Sequence, residues 1–326
     1  MKVSVIVPVY NNQESIKKCI EALLRQDYPK SNYEVIVVND GSSDGTADVV
    51  TAYPVRYISQ KNQGPAAARN RGAGEATGDI ILFTDSDCVP DPDWIMEMVK
   101  PFAVPDVVAV KGAYKTSQRA LTARFAQIEF EERFNMLKKA ESIDMVDTYS
   151  AGFRKGIFLE MKGFDTSFPV ANNEDTELSY RMSRLGFRMV FNPDAIVYHL
   201  NHPDSIKRYA RLKFWRGYWR MVVYKRFPDK MIKDTYTPQT LKLQILSMFV
   251  VFAGLLLALF FPVAGIFLIL LASLSFLVLS VPFIMLALSK DPVVGLFTPF
   301  FLVVRAVPIG IGVLWGIARS GRLKRL

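Results

Sequence analysis

The sequence predicts an α/β domain on a mostly parallel sheet, followed by membrane helices. Three observations carry this. Over residues 1–204, short β-branched runs alternate with helix-period segments. Three of those runs end in acidic or turn-forming residues. From Leu243 to Ala318 almost every residue is apolar.

Val3–Val9 reads as a strand buried on both faces. Asn11 or Asn12 caps the next helix, whose apolar positions Ile16, Cys19, Ile20, Leu23 and Leu24 share one face, and Tyr28-Pro29 stops it. Glu34–Val38 is a second buried strand. A short helix from Thr46 and a strand near Val55–Ser59 follow. Pro65–Ala76 is a helix with Pro in its first turn, and Ile80–Phe83 another buried strand. This rhythm implies parallel βαβ units. Beyond Asp91 the pattern predicts helices at Asp93–Met98, Leu121–Leu137 and Glu174–Leu185. It predicts strands at Val107–Lys111, Phe187–Phe191 and Ala195–His199.

Charge divides at the same place as hydropathy. Residues 1–204 carry 23 Lys/Arg against 28 Asp/Glu; residues 205–326 carry 17 against 3. The overall +9 therefore belongs to the apolar half. Anionic lipid explains that placement more simply than nucleic acid does. Cys19 and Cys88 form no disulfide framework and no metal motif. Met1–Val9 is too short for a signal peptide and reads as the first strand.

Ligands of open α/β sheets bind at the carboxyl ends of strands. Here those ends carry Pro8-Val9-Tyr10-Asn11, Asn39-Asp40-Gly41-Ser42 and Asp85-Ser86-Asp87. Each alone is an ordinary turn; together they point to a site. Asp85 and Asp87 can reach one hard divalent cation, Mg or Mn, which would neutralise a diphosphate leaving group. The plainer alternative is a turn ahead of the helix that Asp93 starts. In Glu174-Asp175 the acids suit a helix N-terminus. The functional reading makes Asp175 a general base for an acceptor hydroxyl.

With these residues in place, the chain resembles the family-2 glycosyltransferases, whose catalytic domain has the GT-A fold. The matching segments are VSVIVPVYNN (3–12), VIVVNDGSSDGT (35–46), NQGPAAARNRG (62–72), GDIILFTDSDC (78–88), KGFDTSF (162–168), NEDTELSYRMSRLGF (173–187) and AIVYH (195–199). The resemblance implies that Pro8, Tyr10 and Asp40 hold the base and ribose of a nucleotide-sugar donor. It implies that Asn62, Gly64 and Arg69 shape the donor pocket, and that Asp85 reaches ribose or metal. Asp87 binds the metal, with His199 as a further metal or phosphate contact, and Asp175 is the catalytic base. One base and one displacement imply inversion at the anomeric carbon. The Q-x-x-R-W motif of the processive synthases is missing; Phe214-Trp215-Arg216-Gly217-Tyr218-Trp219-Arg220 stands in its neighbourhood, which favours single-sugar transfer.

The expected organisation is a glycosyltransferase domain at 1–204, a basic aromatic interfacial helix and linker at 205–240, and a membrane region at 241–326. Ser205–Phe227 carries eight basic residues, no acid and seven aromatics, as a helix in a headgroup layer does. Leu243–Phe261 and Val263–Leu288 are long enough to cross. Pro292–Ile317 contains Arg305, Pro299 and Pro308 and is expected to be re-entrant or to lie along the cytoplasmic face, with three full crossings as the alternative. The catalytic domain is expected in the cytoplasm, acting on a lipid-linked or glycan acceptor, with membrane lipids as partners and no nucleic acid. The rivals are a polyprenyl-phosphate sugar synthase and a catalytically inactive membrane scaffold of the same fold.

Overall fold

The structure, a computed structural model, describes residues 1–168 and 172–319. The chain falls into two compact units. One comprises Met1–Ser117 and Phe134–Asn201, the other Gln118–Arg133 and His202–Leu326.

The first unit is built on β1 (Val3–Val9), α1 (Gln13–Leu24), β2 (Tyr33–Asn39), α2 (Thr46–Thr51), β3 (Arg56–Ser59), α3 (Pro65–Glu75) and β4 (Ile80–Phe83). There follow β5 (Cys88–Pro90), α4 (Trp94–Val99) and β6 (Val107–Lys115). Helix α5 (Leu121–Leu137), which belongs to the second unit as far as Arg133, precedes β7 (Ala151–Arg154), α6 (Lys155–Glu160), α7 (Glu174–Arg184) and β8 (Arg188–His199). The eight strands form one sheet in the order β3-β2-β1-β4-β7-β6-β8-β5. β3, β2, β1 and β4 run parallel. β7 is antiparallel to both β4 and β6, and β5 is antiparallel to β8, so the sheet is mixed. All seven residues of β1 are buried, as its β-branched run requires at the sheet's centre. β4 packs Phe83 against Phe153, Phe158 and Phe164, with ring centroids 5.4–6.0 Å away.

Several local expectations change. Asn12 occupies the N-cap of α1 without a side-chain capping bond. Its amide donates instead to Ser86 Oγ at 2.8 Å, joining the ends of β1 and β4. Helix α1 ends at Leu24, ahead of Tyr28-Pro29. The two short strands expected at 187–191 and 195–199 are one strand, β8. Asn192-Pro193-Asp194 reads as a turn but forms an irregularity within the strand: Phe191 pairs with Lys111 and Ile196 with Ala113. β5 and β7, three and four residues long, are too short to show a period.

The second unit contains α8 (Ile206–Arg226), α9 (Pro228–Ile232), α10 (Gln239–Ala258), α11 (Pro262–Lys290) and α12 (Pro292–Arg319). Ser205 caps α8, its Oγ accepting from Arg208 N. Helices α10, α11 and α12 are each long and apolar enough to cross a membrane, with mean hydropathy 2.1, 2.6 and 2.1. Their outward sides expose Phe252, Leu256, Phe267, Leu270, Leu296 and Phe300, surface that water would not tolerate on this scale. α12 runs unbroken through Pro299 and Pro308, so the break of a re-entrant segment is not found within it. Its small residues press it onto α8: a Cβ on Gly312 would collide with Phe214 O, and one on Gly217 with Ile309 O. Arg305 does not face outward. It is 1% exposed, donates to Gln244 Oε1 at 2.7 Å, and lies 3.7 Å from Glu129 and 3.6 Å from Glu132. The C-terminal basic residues Arg322, Lys324 and Arg325 lie outside the described residues.

Candidate active site

The carboxyl ends of β1, β2 and β4 open into a cleft of about 640 Å³. Pro8, Tyr10, Asp40, Asn62, Gly64, Arg69, Asp85, Asp87 and His199 all line it. Asn11, Asn12 and Ser86, read from the sequence as turn or cap residues, also line it, as does Asn201, which the sequence did not single out. Asp175 does not line the cleft.

The loops around this cleft are fastened to one another. Asn11, at φ 45°, donates its N–H to Ser42 Oγ, and its Oδ1 accepts from Ser43 N at 2.8 Å. Asn12 N donates to Thr46 Oγ1. Gly41 is required where it stands: its φ is +75°, and a Cβ there would lie 2.8 Å from Asn62 N. Asp40 is buried and organises the loop at residues 60–64. Its Oδ1 accepts from Gln60 Nε2 and Gln63 N, and its Oδ2 from Gly64 N at 2.8 Å. Both oxygens are thus already bound to protein. Asp40 sets the cleft wall first, and any ligand contact would use its remaining lone pairs. Gly64 and Pro65 begin α3 at the cleft, so the positive end of an 11-residue helix faces the space where an anion would lie.

Arg69, on α3, is the one guanidinium in the cleft wall among the described residues. Its Nη2 donates to Asp85 Oδ1 at 2.8 Å and its Nη1 to Glu174 Oε1 at 2.7 Å. Arg69 is 2% exposed and its Nε has no partner among the described residues. Glu174, the buried partner of the cleft's Arg69, is the acid that sequence reasoning passed over in favour of its neighbour. Its signal was an acid at the very start of a helix, which the helix dipole explained equally well. Burial and the adjacent Asp175 push the Glu174 carboxyl above its ordinary range, against the pull of Arg69. Asp175 is half-buried, with Oδ1 accepting from Thr176 N at 2.7 Å.

Asp87, Cys88 and His199 place one donor atom each within 4.8 Å of one another. His199 Nε2 lies 3.8 Å from Asp87 Oδ2, and β5 pairs with β8 in a register that sets Cys88 opposite His199. The donor set suits a hard or borderline divalent cation through the carboxylate and imidazole. The Cys88 thiol is buried, and burial holds its pKa well above the ordinary value. In the geometry found, His199 Nδ1 accepts from Asn201 N at 3.1 Å. A lone pair on Nε2 for a metal would require the proton to move to Nδ1 and that contact to open.

A nucleotide-binding sheet with carboxylates at the end of β4 defines a glycosyltransferase domain of the GT-A class. The family description "Glycosyl transferase family 2" matches residues 4–161. Glycosyltransferase AglE of Haloferax volcanii is 32% identical over 222 residues, 64% of this chain and 71% of that protein. Glucosyl-dolichyl phosphate glucuronosyltransferase of the same organism is 28% identical over 254 residues, 70% of this chain and 79% of that one. Mannosyltransferase PcManGT from Pyrobaculum calidifontis, solved with GDP-Man and Mn2+, superposes with a TM-score of 0.62 over 97% of this chain and 87% of its own, at 21% identity. That last likeness is one of fold. The chain belongs to glycosyltransferase family 2 and is an enzyme that uses a nucleotide-sugar donor.

Proposed function

We propose that this enzyme transfers a single sugar, with inversion, from a nucleoside-diphosphate sugar to a lipid-linked acceptor at the cytoplasmic face of a membrane. The observation that carries this reading is the joining of the Asp40–Asp85–Asp87–His199 cleft to three apolar helices in one chain. The relative that acts on a glucosyl-dolichyl phosphate supports a lipid-linked acceptor. The GDP-Man and Mn2+ in the mannosyltransferase support a metal-assisted diphosphate.

In this reading Pro8, Tyr10 and Asp40 bound the pocket for base and ribose, and Asn62, Gly64 and Arg69 shape its donor side. Asp87 and His199, with Asp85 beside them, would hold a divalent cation, Mg or Mn. When bound, that cation neutralises the diphosphate as it leaves. Arg69 is tied to Asp85 and Glu174, so its positive charge is held in place before the donor enters. Asp175 takes the proton of the acceptor hydroxyl. The hydroxyl oxygen bonds to the anomeric carbon as the bond from that carbon to the diphosphate oxygen breaks, and the nucleoside diphosphate departs. Of the adjacent acids Asp175 suits this role, because Glu174 is buried and bound to Arg69. An acceptor that is itself a polyprenyl phosphate would need no base.

The test uses the full chain in membranes with radiolabelled nucleotide sugars of each base, with and without EDTA. EDTA-sensitive label in the organic-extractable lipids is the expected result. Label confined to water-soluble products would overturn the lipid-linked acceptor.

A further inference from the structure

We propose that Asn70 and Arg181 are positioning residues for sugar transfer, which together fix the direction of the helix that carries Asp175. The proposal rests on the reading of Asp175 as the base, and its test separates the two.

Helix α3 opens at the donor cleft with Gly64 and Pro65, and α7 bears Asp175 in its first turn. The Arg69–Glu174 ion pair joins the two helices next to Asp175. A single contact fixes a distance and leaves α7 able to swing about it. A further connection stands seven residues on, about 10 Å along the helix. There Arg181 Nη1 donates to Met161 O, and its Nη2 donates to Gly163 O at 2.7 Å. Asn70, the neighbour of Arg69 on α3, grips the same turn. Its Nδ2 donates to Phe164 O at 2.8 Å, and its Oδ1 accepts from Phe164 N at 2.9 Å. Asn70, the turn and Arg181 thus link α3 to α7 a second time.

The turn is built to transmit position. Lys162 and Gly163 are both left-handed, at φ 59° and 62°. Gly163 is required there, because a Cβ would also collide with Asn70 Oδ1. Phe164 is 2% exposed, and its ring packs against Phe83 of β4 and Phe158 of α6 at 5.4 and 5.2 Å. Such close-packed surroundings pass a displacement on rather than absorb it. Arg69 lies over the same ring at 5.9 Å, so both connections bear on Phe164. Arg181 is steadied on its own helix by Glu177, whose carboxylate accepts from Nε at 2.9 Å. Neither Asn70 nor Arg181 lines the cleft, so an effect on transfer must pass through the elements they hold. A base works only within hydrogen-bond reach of the hydroxyl, and a misplacement of about 1 Å can cost roughly a hundredfold.

Asn70→Ala and Arg181→Lys, each alone and each combined with Asp175→Asn, test this in the full chain. Calorimetry with Mn²⁺ and UDP or GDP reads the donor site, and radiolabel transferred in membranes at saturating donor reads turnover. Asn70→Ala is expected to lower turnover about tenfold or more with nucleotide affinity near wild type. Arg181→Lys keeps the charge beside Glu177 but loses the two-pronged grip on the turn. It is expected to lower turnover less, and it carries the test if Asn70→Ala fails to fold. Combined with Asp175→Asn, either change should cost less than about twofold further, since no base is left to misplace. Unchanged turnover in a folded Asn70→Ala, a full cost retained in the Asp175→Asn background, or a matching loss of nucleotide affinity would each overturn the proposal. Asp175→Asn alone as fast as wild type would instead remove the base reading, and this proposal with it.

Discussion

Arg69 Nη1 donates to Glu174 Oε1 at 2.7 Å across 105 residues of sequence, with side chains 3% and 2% exposed. This pair ties α3, which opens at the donor cleft, to α7, which carries Asp175. Arg69→Ala would leave Glu174 buried without its cation, a change that costs about 3–5 kcal/mol in comparable buried pairs. It should lower the thermal midpoint and weaken donor binding together. Glu174→Gln keeps the acceptor oxygen and should be far milder. The pH dependence separates the two. Because burial and Asp175 raise the Glu174 pKa, its contribution to stability is fully present below the unfolded value of 4.5 and is lost as pH rises through the folded one. Thermal midpoints at pH 5 and pH 8 should therefore fall less in Glu174→Gln than in wild type. An unchanged pH slope would refute the raised pKa.

How much of this could be read beforehand follows from the physics of each signal. The parallel strands β1 and β4 are fully buried and β2 is buried from Val35 onward, so their continuous apolar runs name them. The acidic turns at their ends name the cleft. β5 and β7 leave too few residues to show a period, and the turn chemistry of Asn192-Pro193-Asp194 concealed an irregularity inside β8. Glu174 escaped because its partner Arg69 is distant in sequence, and an acid at a helix start needs no partner to be favoured. Arg305 was legible as an anomaly in an apolar stretch. Its partners Glu129, Glu132 and Gln244 could not be named until the helices packed.

Asp87 is the carboxylate within reach of His199. Asp87→Ala should abolish metal-dependent binding of UDP or GDP while the fold persists, because the side chain is an outer wall of the cleft rather than core. Titration calorimetry with Mn²⁺ and then with EDTA checks it. Unchanged, EDTA-insensitive affinity in the variant would mean that Asp87 holds no metal.

Asp175→Asn preserves shape and the bond from Thr176 N. It removes the ability to take a proton. Donor affinity should stay near wild type and transfer should drop by roughly a hundredfold or more, the scale of a lost general base. Transfer at nearly the wild-type rate would remove the base role and favour an acceptor that is already ionised, such as a polyprenyl phosphate.

Arg305 is the only cation within α12 ahead of Arg319, and it is buried. Arg305→Leu would leave Glu129 and Glu132 without that charge, at a cost of about 3–5 kcal/mol by the same reasoning. The thermal midpoint in detergent should fall clearly, and Arg305→Lys should recover part of it. A midpoint equal to wild type in Arg305→Leu would mean that the network adds no net stability.

The packing of α12 bears on topology. Its buried side meets the polar helices along much of its length. Phe301 stacks on Phe125 of α5 at 4.8 Å, and Arg124 of α5 pairs with Asp291 just ahead of α12. Toward its other end Gly312 and Gly316 abut Phe214 and Tyr218 of α8. Helix α8 carries eight basic residues and α5 three glutamates. Were α12 to cross the hydrocarbon with these helices beside it, their charges would be drawn in at about 2.5–3.5 kcal/mol each on insertion scales. We therefore expect α12 to lie along the interface, which would keep α5 and α8 at the headgroups and its outer Leu296, Phe300 and Ile311 in the acyl layer. With α10 and α11 as the two crossings, α8 and the C-terminus would fall on the same side, and the positive-inside rule would make that side the cytoplasm. A cysteine added after Leu326 tests this against low background, since Cys19 and Cys88 are buried. A membrane-impermeant thiol reagent should label it only after permeabilisation. Labelling in intact cells would require three crossings and put the C-terminus outside.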